Sequence, residues 1–159
     1  MKGVGSKVRI YITNLNKKYR VGEKRLKKII CETLRYIKKE GAIGELELVF
    51  LDTAMMRAMN KKYKGIGRST DVLSFRTEYQ PIPATGTIFI SIDQAKKNSR
   101  IFRTDIREEF TRYAVHGMLH LFGYVDYTER DRRKMAAKEN RILKYLCTKE
   151  DLSKVLTPR

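Results

Sequence analysis

Cysteine is scarce in this chain. Cys31 and Cys147 lie far apart with no Cys-x-x-Cys spacing, so neither a zinc knuckle nor a disulfide framework is indicated. Buried free thiols in a reducing compartment are the simplest expectation. Long apolar runs are missing too: no stretch approaches the roughly 20 residues that a transmembrane helix needs. The Met1-Lys2-Gly3 start lacks the apolar run of a signal peptide, and a cytoplasmic location is expected. Acidic residues are few, 18 against 35 Lys and Arg, and there are only two histidines.

What remains is a strongly basic protein. The formal net charge is +17 and the isoelectric point is near 10. Such a surface attracts polyanions, because neutralising phosphates releases condensed counterions and makes affinity fall steeply with salt. A generally solvated, heat-adapted surface would have a similar composition. Charge alone does not choose among RNA, DNA and an anionic membrane. With 159 residues, 42% of them hydrophobic, the chain has the size of one domain spanning residues 1–159.

Periodicity predicts four strands and four helices. Val8, Ile10 and Ile12 alternate with charged or polar neighbours in a strand at Lys7–Thr13. A helix at about Gly22–Glu40 places Leu26, Ile29, Ile30, Thr33, Leu34 and Ile37 on one face and clusters Lys24, Arg25, Lys27 and Lys28 elsewhere. A strand at Glu45–Leu51 leads to a short helix at Thr53–Tyr63, in which Met55, Met56 and Met59 are expected to fill core. The stretch 64–69 is a basic loop whose two glycines match no phosphate-cradling motif. Strands follow at Asp71–Arg76 and Gly86–Ile92, separated by a loop with Pro81 and Pro83. Helices follow at Asp105–Leu121, where Asp105 and Glu108 have capping-box spacing, and at Thr128–Leu146. The mixture predicts an α+β fold with a mixed four-stranded sheet packed with helices.

Both histidines fall in Val115-His116-Gly117-Met118-Leu119-His120. Four residues apart on a helix, His116 and His120 share a face with Cβ atoms about 5–6 Å apart, close enough to hold one ion. Ile106, Phe110, Tyr113, Gly117 and Leu121 form an apolar stripe beside them. Gly123 suits a left-handed helix end, after which the chain can double back and bring Asp126 to the same ion. Two imidazoles and one carboxylate leave a fourth position for water, the pattern of a catalytic zinc site. The competing reading is a pair of ordinary hydrogen-bonded histidines near a helix end. Peptide hydrolysis is disfavoured, because Gly117 stands where the His-Glu-x-x-His signature has its general base. A phosphodiester substrate fits the basic surface better.

These residues carry a family resemblance. His116-Gly117-Met118-Leu119-His120-Leu121-Phe122-Gly123-Tyr124 resembles the signature of the YbeY family of metal-dependent endoribonucleases. Leu51-Asp52 through Asn60-Lys61-Lys62-Tyr63-Lys64, Thr70-Asp71-Val72-Leu73-Ser74-Phe75, Gly86 through Ser91, and Met135 through Leu143 resemble its other segments in the same order. The resemblance implies a zincin-like α+β fold, a zinc site, a cytoplasmic location, and cleavage of single-stranded RNA in small-subunit ribosomal RNA maturation, with ribosomal particles as partners.

Three positions depart from that pattern. Asp126 stands where the family has its third histidine ligand, Lys64 where it has an arginine, and Thr87 where it has an aspartate. Carboxylates also ligate zinc, whereas lysine keeps the charge but not the bidentate fork of arginine. The expected ligands are therefore His116, His120 and Asp126, with Lys64 stabilising transition-state charge and Arg68 contacting substrate. A non-catalytic RNA-binding or ribosome-assembly factor of the same fold is the alternative reading, and a zinc peptidase a more distant one.

Overall fold

A computed structural model describes residues 7–77 and 83–159. Six strands and five α-helices follow in the order β1 (Arg9–Asn14), β2 (Tyr19–Val21), α1 (Glu23–Tyr36), β3 (Ile43–Leu51), α2 (Thr53–Lys64), β4 (Val72–Thr77), β5 (Ala84–Ser91), α3 (Ile92–Phe102), α4 (Ile106–Leu121), α5 (Glu129–Lys149) and β6 (Leu156–Pro158). The expected mixed four-stranded sheet is present, with strand order β1-β3-β5-β4. Strands β1, β3 and β5 are parallel, and β4 runs antiparallel to β5 along one edge.

Alternation along the strands sends side chains to two faces. Leu46, Leu48, Phe50, Val72, Ile88 and Ile90 join the main core with residues of α1, α3, α4 and α5. Val49, Leu51 and Leu73 form a smaller core with Met56 of α2. Of the methionine group, Met56 is fully buried, Met59 packs at the edge of this core, and Met55 is 37% exposed.

Helix α4 is the centre of the larger layer. Phe110, Thr111, Ala114, Val115, Met118 and Leu119 are all buried, so it is enclosed on nearly every side. Asp105 caps it by accepting from the Arg107 N–H at 2.8 Å, and its carboxylate also pairs with the Arg107 side chain. The reciprocal capping box occurs instead on α5, where Thr128 accepts from Asp131 N–H and Asp131 accepts from Thr128 N–H.

Several expectations are corrected. Helix α3 was not anticipated: the fourth strand ends at Ser91, which caps a helix beginning at Ile92. Only Ile92, Ala95 and Ser99 of α3 are buried, so its apolar stripe is thin. A second, two-stranded sheet pairs β2 with β6 near the chain's end, and strands of three residues are too short to show a period. Helix α1 stops at Tyr36 rather than Glu40, with Lys38 in a left-handed turn. Cys147 is exposed and Cys31 only half-buried, not the buried thiols expected, and both are free. Pro81 and the N-terminal Met1-Lys2-Gly3 lie outside the described residues. No helix is long and apolar enough to cross a membrane among the described residues.

Gly117 explains how α4 sits so close to the sheet. A Cβ built there would meet Ile88 Cγ2 at 2.6 Å, Val72 Cγ1 at 3.1 Å and Ser74 Oγ at 3.2 Å. The Ser74 hydroxyl donates to the Gly117 carbonyl at 2.9 Å, tying β4 to α4 at the same point. Glutamate has no room here, so the absence of the peptidase base is built into the packing. Alanine in place of Gly117 would gain about 1 kcal/mol of helix propensity but overpack a closed interface at about 1–3 kcal/mol. Gly117→Ala is expected to lower the urea unfolding midpoint; an unchanged or raised midpoint would contradict the close approach.

Candidate metal centre

The close approach of α4 fixes which way its last two turns face. His116 and His120 leave the buried stripe and turn toward the 123–128 loop. Their rings meet edge to face with centroids 4.4 Å apart and Nε2 atoms 2.8 Å apart. Helix α4 closes through Phe122, and Gly123 takes φ +85°, with Tyr124 N–H donating to the Leu119 carbonyl at 3.1 Å. The chain thereby reverses and places Asp126 Oδ2 3.4 Å from both Nε2 atoms. These three residues form a group whose ligand atoms converge closely enough to hold one metal ion.

The spacing suits a divalent ion. Ligand atoms bonded at about 2.0–2.2 Å in a tetrahedral array lie roughly 3.3 Å apart. The two histidine–aspartate separations match that value, and the two imidazoles need to part by about half an ångström. Orientation supports the same use. His120 Nδ1 lies 2.9 Å from the Tyr124 carbonyl, and His116 Nδ1 lies 3.3 Å from Glu139 Oε2. A carbonyl can only accept, so His120 carries its proton on Nδ1 and presents the Nε2 lone pair. Glu139 holds His116 in the same sense.

Electrostatics separates the two rings. Burial pushes the His116 pKa down, but the hydrogen bond and charge of Glu139, with Asp71 and Asp126 adding to them, raise it above the ordinary histidine value. For His120, burial and the neighbouring His116 prevail over Asp126 and hold its pKa low, and the Lys64 charge contributes in the same direction. Lys64 is thus within electrostatic reach of the site, at the C-terminal end of α2, where Gly65 caps the helix in a left-handed conformation. Arg68 is exposed in the following loop, whose backbone the buried Asn60 side chain holds at 2.8 Å. Among the described residues, no hydrogen bond or ion pair ties the Arg68 side chain to His116, His120 or Asp126.

Other positions take structural roles. Asp71 accepts from its neighbour Val72 N–H at 2.8 Å and from Thr70 Oγ1 at 3.3 Å, shaping the entry to β4. Tyr124 is half-exposed beneath Lys138, whose Nζ lies 5.4 Å from the ring centroid. Arg76 donates to the Leu121 carbonyl at 3.1 Å and lies over Phe122, bracing the end of α4.

Sequence reasoning missed two of the groups that orient the histidines. Glu139 is buried on α5 (7% exposed), and the sequence places it 23 residues from His116. Its signals were a carboxylate at a core-facing position of an amphipathic helix and its place in the 135–143 segment that resembles the family, neither of which names His116 as its partner. The Tyr124 carbonyl belongs to the backbone and has no residue-type signal at all.

The family model described as Endoribonuclease YbeY matches residues 11–147. A protein of Acholeplasma laidlawii named Endoribonuclease YbeY is 37% identical over 116 residues, covering 72% of this chain and 82% of its own. One of Desulforamulus reducens with the same name is 33% identical over 147 residues, covering 86% and 96%. The solution structure of TM1509 from Thermotoga maritima superposes with a TM-score of 0.58 at 24% identity, covering 86% of this chain and 88% of that one, a likeness of fold.

Two substitutions test the site. Asp126→Ala is expected to remove most bound metal in elemental analysis, whereas Asp126→His preserves it. Glu139→Gln should weaken metal affinity by about 10–100-fold, the usual effect of losing a partner that orients a ligand. Full metal content in Asp126→Ala would exclude the carboxylate from the ligand set.

Proposed function

We propose, on the premise that this chain belongs to the Endoribonuclease YbeY family, that it is a metal-dependent endoribonuclease acting on single-stranded RNA. The observation that carries this reading is the convergence of two oriented Nε2 atoms and the Asp126 carboxylate within 3.4 Å of one another. His116, His120 and Asp126 would hold one ion, with zinc favoured by the two imidazoles. When bound, such an ion supplies Lewis acidity, polarising a phosphate oxygen and acidifying water.

The chain's own residues divide the remaining work. Glu139 and the Tyr124 carbonyl keep both imidazoles in the tautomer that leaves Nε2 free. Asp126 offsets one positive charge at the centre, so the phosphate meets a less cationic site than three histidines would make. Lys64 compensates from the open side, where its ammonium offers a mobile positive charge to the phosphorane-like transition state. Arg68, on the adjoining loop, is assigned to substrate binding. The net charge of +17 draws the polyanion to this surface. The cellular substrate is taken to be small-subunit ribosomal RNA, met in the cytoplasm on ribosomal particles, as the family resemblance implies.

Incubation of single-stranded RNA with the protein, with and without a chelator, checks this reading. Cleavage is expected to stop with chelation and in His120→Ala. Lys64→Ala should lower kcat by about tenfold, less than the hundredfold or greater loss from removing an enclosed oxyanion donor, because Lys64 is exposed. Equal, chelator-insensitive cleavage by the native protein and His120→Ala would reject the mechanism. Salt-sensitive RNA binding without any metal-dependent turnover would favour a non-catalytic binding factor.

A further inference from the structure

Against the His116 and Asp126 side of the centre lies a cleft of about 250 Å³, whose walls include Asp71, Asn98, Phe102, Arg112, Tyr113 and Arg132. This is below the roughly 300–1,000 Å³ of a drug-sized site and suits a single heterocycle. Phe102, the last residue of α3, is 64% exposed at its rim. No ring contact involving Phe102 is found among the described residues, although seven other Phe and Tyr rings pair with one another. The helix is stopped there by Arg103 in a left-handed conformation, which leaves the phenyl ring at the mouth of the cleft.

The polar groups decide which part of a nucleotide can enter. Both guanidinium groups are already engaged. Arg112 donates to Asn140 Oδ1 at 2.8 Å and pairs with Glu108 at 3.6 Å, and Arg132 donates to the carbonyls of Tyr127 and Asp126. The Asn98 amide donates to the Tyr113 hydroxyl and accepts from Gln94 Nε2 at 3.1 Å. Asp71 differs. Its Oδ1 accepts from Val72 N–H and Thr70 Oγ1, while no hydrogen bond reaches its Oδ2 among the described residues. With Glu109 and Glu139 in the same wall, the cleft repels phosphate and favours a hydrogen-bond donor.

We propose that this cleft seats the nucleobase next to the phosphate at the metal centre, stacked on Phe102 and donating an amino hydrogen to Asp71. The inference rests on the endoribonuclease reading above and adds to it a basis for base preference. Unstacked bases of single-stranded RNA are commonly held on aromatic side chains and read along their hydrogen-bonding edges. Adenine, cytosine and guanine carry an exocyclic amino group, whereas uracil turns carbonyl oxygens toward the carboxylate. The phosphate stays outside, on the side that Lys64 serves. The preference is therefore for A, C or G over U at that nucleotide.

The test uses the full chain in two assays. In chelator, where no cleavage is expected, binding of labelled hexameric oligoadenylate, oligocytidylate and oligouridylate is measured by fluorescence anisotropy. With metal restored, cut positions are mapped on a mixed-sequence single-stranded RNA. Oligoadenylate and oligocytidylate are expected to bind about tenfold tighter than oligouridylate. Phe102→Ala, a surface change that leaves the core intact, should weaken binding of all three by about tenfold through lost stacking. Asp71→Asn, which offers a donor as well as an acceptor, should erase the discrimination against U in both assays. Cleavage without base preference, unchanged in both variants, would overturn the cleft assignment and leave the nuclease reading standing. Base preference shifted by the variants, with no cleavage, would overturn the nuclease reading and leave the cleft. A second bound equivalent of divalent metal that Asp71→Asn removes would overturn the base assignment in favour of a cation site.

Discussion

The contact between Gly117 and the sheet is the constraint on which the site depends. A helix enclosed as fully as α4 has little freedom to rotate, and its azimuth is set where it comes nearest to β4 and β5. With Ile88 Cγ2 2.6 Å from the position a Cβ would occupy, that approach admits only glycine without rearrangement. His116 and His120 flank Gly117 by one and three residues, so their direction follows from the same contact. Ser74 locks it with a hydrogen bond from β4 to the Gly117 carbonyl. The residue that removes the peptidase base therefore also aims the two imidazoles.

A second constraint is the placement of charge. The protein is basic overall, yet the surroundings of the two imidazoles are acidic: Asp71, Asp126 and Glu139 all act on His116. Such an arrangement is costly without a cation, because like charges crowd a partly enclosed volume. A divalent ion held there would relieve it, and the Lys64 charge also reaches His120. In the proposed reading, long-range attraction for a polyanion and local affinity for a metal would be carried by different residues.

Legibility followed element length and the range of the interaction. The i, i+4 histidines, the stripe from Ile106 to Leu121 and the turn at Gly123 are local features, and each could be read directly. Helix α3 was missed because its buried residues are few and small, and β2 and β6 because three residues show no period. The sheet order could not be read at all, since it depends on which strands meet across the chain. Glu139 was visible as a core-facing carboxylate on an amphipathic helix, but its partner was not. Asp126 was named from chain reversal, while the Tyr124 carbonyl that holds His120 has no side-chain signature. Cys147 shows the opposite limit: general preference for buried thiols did not apply to a residue near the end of α5 that faces solvent.

X-ray absorption spectroscopy of the zinc-loaded protein bears most directly on the central claim, because it counts imidazoles and distinguishes oxygen from sulfur. Two imidazole nitrogens near 2.0–2.1 Å, at least one oxygen near 2.0–2.2 Å, and no sulfur bonded to the metal are expected. A shell with one imidazole or none, or with a sulfur near 2.3 Å from Cys31 or Cys147, would contradict that claim.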